Sequence, residues 1–260
     1  MHDFHTHTNY SDGGFLEGMV QAADAAGLEG IGLTDHCTIS ARGGPAAVRS
    51  VYGFNLDLTY ERRRQAIEAL RDRTTVSLEI YDGVEMDYDP RDERAIREFL
   101  DDAEFEYTIG SVHVINGQNV QVSSNFTASS ETTRDAIVDD YFEALVSLIE
   151  SELFDVAAHL DLIERTPPLR GRATTAHYER VARALANSRT VPEINVGRAT
   201  ADAAIVHPSD SFLELLREYD VAVTVGSDSP RPAEIGDRAA FLETYLESRA
   251  LEPVKPPGLE

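Results

Sequence analysis

Short β-rich runs alternate with amphipathic stretches along most of this 260-residue chain. The β-rich runs are residues 2–7, 30–36, 76–86, 105–115, 154–160, 191–196 and 221–227. Between them, apolar residues recur at helical spacing in residues 15–27, 60–73, 92–105, 140–153, 178–188 and 210–220. This alternation predicts an α/β fold with a parallel sheet that is closed or nearly closed into a barrel.

The length and composition favour one domain. Hydrophobic residues make up 42% of the chain, which is enough for a single sizeable core. No Pro/Gly/Ser-rich linker interrupts the middle of the chain, so we expect one domain over residues 1–250 and a frayed tail over 251–260. Two longer polar segments, 38–55 and 116–130, follow strand ends and are candidate lids over an active site.

The charge balance restricts the partners of this protein. The formal net charge is −23, and Lys255 is the only lysine. Such a surface repels nucleic acid and anionic membranes, so neither is an expected partner. We also expect a soluble, cytoplasmic protein, since no run approaches the ~20 apolar residues of a membrane helix and the first residues do not resemble a secretion signal. The acidic, lysine-poor composition further suggests adaptation to a salt-rich cytoplasm.

Histidines and carboxylates accumulate at the predicted strand ends. Cys37 is the only cysteine, so a metal in this protein would have nitrogen and oxygen ligands. His5 and His7 leave the same face of the first strand, as a chelating pair would. The other residues at or near strand ends are His36, Glu85, His113, His159 and Asp228. Because parallel strands place their carboxyl ends on one rim, these residues predict a multinuclear hydrolytic metal site. In contrast, His177 and His207 are assigned to the surface.

Six motifs in order resemble the PHP (polymerase and histidinol phosphatase) family. They are DFHTHTNYSDG, GLTDH, GVEMDY, GSVHVING, AAHLDLI and VGSDSPRPAEIG. The residues of these motifs are most similar to those of the histidinol-phosphatase branch. The resemblance implies a single distorted (β/α)7 barrel similar to a TIM barrel, which agrees with the seven predicted strands.

The resemblance also implies a ligand set. It makes His5, His7, Glu85 and Asp228 ligands of one metal and Glu85 a bridge to a second metal held by His113 and His159. Asp12 and His36 would face a third metal, for which the family normally supplies a histidine where this chain has Pro230. The implied cofactors are therefore two or three divalent ions (Zn, Mn or Fe) without an organic cofactor. Glu85, Asp228 and His36 are the expected catalytic residues.

Hydrolysis of a small phosphomonoester is the function that the resemblance implies, with L-histidinol phosphate as the substrate and histidine biosynthesis as the pathway. Arg198 and Arg231 follow the sixth and seventh strands and are candidate phosphate ligands, while Arg42 and Arg49 are weaker candidates. Two alternatives remain open. One is a PHP phosphoesterase acting on nucleoside bisphosphates or short oligonucleotides, and the other is a metal-binding module impaired in catalysis. The sequence leaves the oligomeric state open.

Overall fold

The structure is a computed structural model that describes residues 1–73, 77–201 and 204–259. Its strands are β1 (His2–Thr6), β2 (Gly30–Leu33), β3 (His36–Cys37), β4 (Glu79–Asp87), β5 (Tyr107–Ser111), β6 (Val114–Ile115), β7 (Gln118–Asn119), β8 (Val156–Ala157), β9 (Val191–Arg198), β10 (Ile205–His207) and β11 (Thr224–Gly226). Its α-helices are α1 (Leu16–Ala25), α2 (Gly43–Tyr52), α3 (Leu56–Asp72), α4 (Glu93–Ala103), α5 (Ser124–Thr127), α6 (Glu131–Glu150), α7 (Thr175–Leu185), α8 (Asp210–Glu218) and α9 (Pro232–Arg249). Short 3₁₀ turns span Pro90–Asp92, Leu162–Arg165 and Pro257–Leu259.

Parallel strands follow one another around a curled sheet in chain order. β1, β2, β4, β5, β8, β9 and β11 pair in that sequence, and β3 extends the sheet beside β4 beyond the end of β2. The sheet returns to its start at a parallel bridge between Thr6 and Ser229, where the His7 N–H also donates to the Ser229 carbonyl. The predicted distorted barrel of seven parallel strands is confirmed.

Most residues of the parallel strands are buried because helices cover the sheet. The α1, α3 and α9 helices pack Met19, Ile67 and Ile235 against Ile31 of β2 and Ile80 of β4 in one core cluster. A larger cluster lies between the sheet and helices α4, α6, α7 and α8. Each such fully buried aliphatic side chain contributes roughly 1.5–3 kcal/mol relative to exposure.

Several element boundaries differ from those predicted. The run 105–115 is not one strand: β5 ends at Ser111, and β6 and β7 form an antiparallel hairpin. Asn116 and Gly117 connect the hairpin, and both have positive φ, a conformation that an Asn-Gly pair adopts readily. The long α9 was not among the predicted helices. Val76, the first residue of the run 76–86, lies outside the described residues.

The two polar segments and the C-terminal tail contain more regular structure than expected. The segment 38–55 contains α2, which buries none of its residues, and 116–130 contains α5. Their role as lids stays a prediction. The expectation of a frayed tail was wrong: the Val254 N–H donates to the Val223 carbonyl, and Pro256 is buried. Among the described helices, none is long and apolar enough to cross a membrane.

Candidate metal centre

The barrel brings the predicted ligands to one rim. Each lies at the C-terminal end of a parallel strand or within two residues of it, as β/α barrels arrange their active sites. The cluster comprises His5 in β1, His7 after β1, His36 in β3, Glu85 in β4, His113 after β5, His159 after β8 and Asp228 after β11. All are buried except His36 and Asp228, which are partly exposed. The cluster therefore reaches solvent through His36 and Asp228.

Glu85 lies at the centre of the cluster. Its Oε1 lies 3.2 Å from Nε2 of His159 and 3.5 Å from Nε2 of His113. Its Oε2 lies 2.7 Å from Nδ1 of His36 and 3.3 Å from Nε2 of His5. The two oxygens of one carboxylate thus face two different sets of imidazoles, the arrangement that a bridging ligand requires.

Asp228 completes the group around β1. Its Oδ1 lies 3.1 Å from Nε2 of His7, and its backbone has φ of 51°. The aspartate fits because Gly197 lies beside it: a Cβ at that glycine would lie 2.7 Å from Oδ2 of Asp228. Among the residues that the structure describes, three groups of side chains have ligand atoms close enough for one ion: His5, His7 and Asp228; His7, His36 and Glu85; and Glu85, His113 and His159.

Two further carboxylates orient the imidazoles. Nδ1 of His5 donates to Oε1 of Glu193 at 2.7 Å, and Nδ1 of His113 donates to Oδ1 of Asp87 at 2.6 Å. Glu193 also accepts the backbone N–H of His159 at 3.1 Å. Such bonds fix the tautomer and leave the Nε2 lone pair for a ligand.

The donor set fits divalent cations. With Nδ1 of His5 bonded to Glu193, its Nε2 faces Oε2 of Glu85, and neither atom has a hydrogen-bond partner among the described residues although both are buried. Buried polar atoms without partners are rare in proteins, and a cation between them would satisfy both. Imidazole and carboxylate ligands without thiolate suit zinc, manganese or iron.

The charges of the cluster keep its carboxylates ionised. Burial alone would raise the pKa of Glu85, but the positive charges of His36 and His5 outweigh burial and hold the pKa well below its usual range. Burial likewise opposes ionisation of Asp228, but a hydrogen bond from His7 and nearby positive charges lower its pKa strongly. Burial disfavours the charged form of His36, yet the Glu85 charge raises its pKa to about 10.

Asp12 lies at the edge of the cluster, outside the three groups. Its side chain is 48% exposed, with Oδ1 3.7 Å from Nδ1 of His7 and Oδ2 4.0 Å from Nε2 of His36. The Pro230 carbonyl accepts the N–H of Gly14, which fixes the loop where the motif resemblance implied a histidine. The residues implied for a third metal are therefore near one another but more loosely arranged than the rest.

Arg165, which the sequence did not single out, contacts a carboxylate of the cluster. Terminal nitrogen Nη2 of Arg165 lies 3.3 Å from Oδ2 of Asp228 and 3.0 Å from Oδ1 of Asn195. Arg198 and Arg231 are exposed, and the Arg231 guanidinium faces Glu234 at 4.0 Å. The only sequence signal for Arg165 was its position shortly after the AAHLDLI motif.

The assignment of His207 to the surface was wrong. His207 is fully buried and bonds to Asp161 and Arg165. Strand β10 runs antiparallel to β9 and places His207 in register with Asn195, next to the cluster. Its sequence neighbourhood, VHPSD, gives no periodic signal of burial, because β10 is a short return strand. His177 is half-buried and caps α7 with Thr174.

A β/α barrel with imidazoles and carboxylates gathered at its strand ends has the architecture of a metal-dependent hydrolase. The PHP domain model matches residues 3–196. The chain belongs to the PHP domain family.

Known proteins of this family resemble the chain over most of its length. A probable histidinol-phosphatase of Deinococcus radiodurans is 25% identical over 220 residues, covering 85% of this chain and 82% of the relative. The histidinol-phosphatase of Lactococcus lactis is 26% identical over 237 residues, covering 87% and 83%. A crystal structure of histidinol phosphate phosphatase from Lactococcus lactis complexed with zinc, L-histidinol and phosphate superposes with a TM-score of 0.76 at 24% identity, covering 100% of this chain and 97% of that one. A putative histidinol phosphatase from Listeria monocytogenes gives a TM-score of 0.78 at 19% identity, covering 93% and 99%.

Proposed function

We propose that this protein is a metal-dependent phosphatase that hydrolyses L-histidinol phosphate to L-histidinol and phosphate in histidine biosynthesis. The observation that carries the proposal is the position of Glu85, a buried carboxylate with imidazoles on both of its oxygens. Relatives named histidinol-phosphatase support the choice of substrate. We place the enzyme in the cytoplasm with its pathway, acting on a small phosphorylated substrate.

We assign the ligands to two tightly held ions. His5, His7, Glu85 and Asp228 would hold one. The second would share Glu85 and take His113 and His159. Asp12 and His36 would hold a third ion weakly, because Asp12 is half-exposed and Pro230 offers no side-chain donor. Zinc is favoured by its presence in the Lactococcus structure, and manganese or iron also suits this donor set.

Bound divalent ions would lower the pKa of water and neutralise charge on the phosphoryl group. Glu85 holds the two ligand groups at a fixed separation through its two oxygens. Arg165 presents Nη2 beside Asp228, where a guanidinium would bind phosphoryl oxygens and help retain an anion in an acidic protein. His36 is 19% exposed, so it faces the entrance, and when no third ion occupies its Nε2 a proton on that nitrogen would be available to the departing alkoxide.

Phosphate release from L-histidinol phosphate and from a nucleoside 3′,5′-bisphosphate, measured side by side on metal-loaded protein, tests the proposal. We expect turnover of histidinol phosphate to exceed that of the bisphosphate. A preference for the bisphosphate would instead support the nucleotide-directed alternative.

Loss of the family histidine at Pro230 is the observation that favours a catalytically impaired module. Metal content measured on the same samples separates this alternative. Two bound ions without hydrolysis of any phosphomonoester would identify such a module and overturn the proposed activity.

A further inference from the structure

A buried chain of hydrogen bonds leads from the protein interior to Asp228. Nδ1 of His207 lies 2.7 Å from Oδ1 of Asp161, and Nε of Arg165 donates to Nε2 of His207 at 2.9 Å. Nη2 of Arg165 then reaches Oδ2 of Asp228 at 3.3 Å. Asp161 and His207 are fully buried, while the Arg165 side chain is 11% exposed. The chain thus runs from two fully buried side chains to the partly exposed Arg165 and Asp228 at the candidate metal centre.

The backbone places the members of this hydrogen-bond chain. Asp161 precedes the 3₁₀ turn Leu162–Arg165, so both Asp161 and Arg165 are placed by the segment that follows His159. The second oxygen of Asp161 accepts the N–H of Ser209 at 2.8 Å, which prevents the carboxylate from rotating. Register between β10 and β9 brings His207 to the same place from a distant part of the chain.

The chemistry of the three groups allows one protonation pattern. A guanidinium has only donors, so Nε2 of His207 must accept from Arg165. The proton of His207 then lies on Nδ1 and is donated to Asp161. His207 is therefore neutral, and burial together with the Arg165 charge lowers its pKa, as this pattern requires.

We propose that Asp161 and His207 are positioning residues that hold the guanidinium of Arg165 with its Nη2 towards a phosphoryl group bound beside Asp228. This inference rests on the proposed function only because it assumes that a phosphoryl group binds beside Asp228. Because Nε of Arg165 is bonded to His207, the guanidinium plane cannot turn away. A fork held in place before binding loses less conformational freedom when the anion arrives.

Two substitutions of His207 separate hydrogen bonding from volume. His207→Phe keeps a ring but removes the acceptor for Arg165, whereas His207→Gln keeps an oxygen acceptor in that direction. Calorimetry with inorganic phosphate on the metal-loaded protein should show about ten-fold or greater weakening for His207→Phe and a much smaller change for His207→Gln. Metal content should match that of the wild type in both. Equal affinities of the two variants would overturn the positioning role.

A double-substitution cycle excludes a purely structural effect. In an Arg165→Ala background, His207→Phe should not weaken phosphate binding further, because the guanidinium that His207 positions is gone. Losses that add in full would show that His207 acts independently of Arg165 and would contradict the proposal.

Nitrogen NMR of the wild-type protein needs no bound phosphate. We expect His207 to be neutral with its proton on Nδ1, and the Arg165 Nε–H to exchange slowly and to lose this protection in His207→Phe. An imidazolium, or a proton on Nε2, would overturn the positioning role. Wild-type protein that shows these NMR features but binds no phosphate would contradict the proposed function alone.

Discussion

The carboxylate of Glu193 accepts a hydrogen bond from Nδ1 of His5 at 2.7 Å. This bond turns Nε2 of His5 towards Glu85, so a residue from β9 decides how a residue from β1 faces the metal centre. The same carboxylate holds the backbone of His159. Glu193 therefore connects both proposed metal positions without being a ligand of either.

Glu193→Gln should weaken metal binding. An amide keeps the volume but loses the charge that makes His5 a stronger ligand, and its NH₂ group opposes the His159 N–H. We expect about 10- to 100-fold lower metal affinity by competition with a chromophoric chelator. Glu179→Gln, at an exposed position of α7, is the matched control and should behave as wild type. Unchanged affinity of Glu193→Gln would contradict this role.

Pro230→His should add a third tightly bound ion. The resemblance to the family motifs implies histidine at this position, and Asp12 and His36 lie near each other at the edge of the cluster. Metal analysis after dialysis should give about one more ion per chain than wild type. Pro230→Gln, which lacks an imidazole, should not gain that ion. Equal stoichiometry in the histidine variant and wild type would show that the third position cannot be restored this way.

Asp35 and Arg63 form a fully buried ion pair at 2.9 Å behind the cluster. Burial opposes ionisation of Asp35, but the Arg63 charge and a hydrogen bond from Thr8 lower its pKa. A lowered folded pKa contributes stability that is present above the unfolded value of about 3.9 and is lost as the pH falls through the folded value.

Asp35→Asn should therefore cost about 3 kcal/mol of unfolding free energy near pH 7, since it leaves Arg63 buried with one carboxylate fewer. Below about pH 4 its unfolding free energy should fall less steeply with pH than that of wild type. Urea unfolding of metal-free protein across this range measures both effects. Parallel pH dependences of the two proteins would contradict the ion-pair account.

Salt should stabilise this protein. A net charge of −23 repels itself in the folded state, and dissolved ions screen that repulsion. We expect the melting temperature to rise between about 0.1 M and about 2 M potassium chloride. The triple variant with glutamine at the exposed positions Glu68, Glu214 and Glu218 should show a smaller rise. Full stability and activity without added salt would contradict adaptation to a salt-rich cytoplasm.

The barrel and its ligand rim could be predicted because both depend on local rules. Strand runs recur in chain order, and alternate residues of a strand share a face. Because parallel strands also end at one rim, these rules predict that His5, His7 and Glu85 lie close together. The Asn-Gly pair that connects β6 and β7 is a local hairpin signal as well. It was missed because residues 105–115 were predicted to be one continuous strand.

The residues that orient the cluster depend on contacts between distant segments. His207 contacts Arg165 because β10 pairs antiparallel with β9. The positions of the two residues in the sequence do not predict that contact. Glu193 lies within β9 with no local signal that marks it, and its partner lies 188 residues earlier. Arg198 and Arg231 follow strands as a phosphate ligand would, but both side chains are exposed. Whether they contact phosphate stays a prediction.

Metal content and turnover of wild-type protein and Glu85→Ala, reconstituted in parallel, test the central claim most directly. Glu85 joins the two proposed metal positions, so its removal should release at least one ion and abolish most hydrolysis of histidinol phosphate. Wild-type protein should hold two ions or more and turn over. Near-normal turnover by Glu85→Ala would contradict the bridging role on which the mechanism depends.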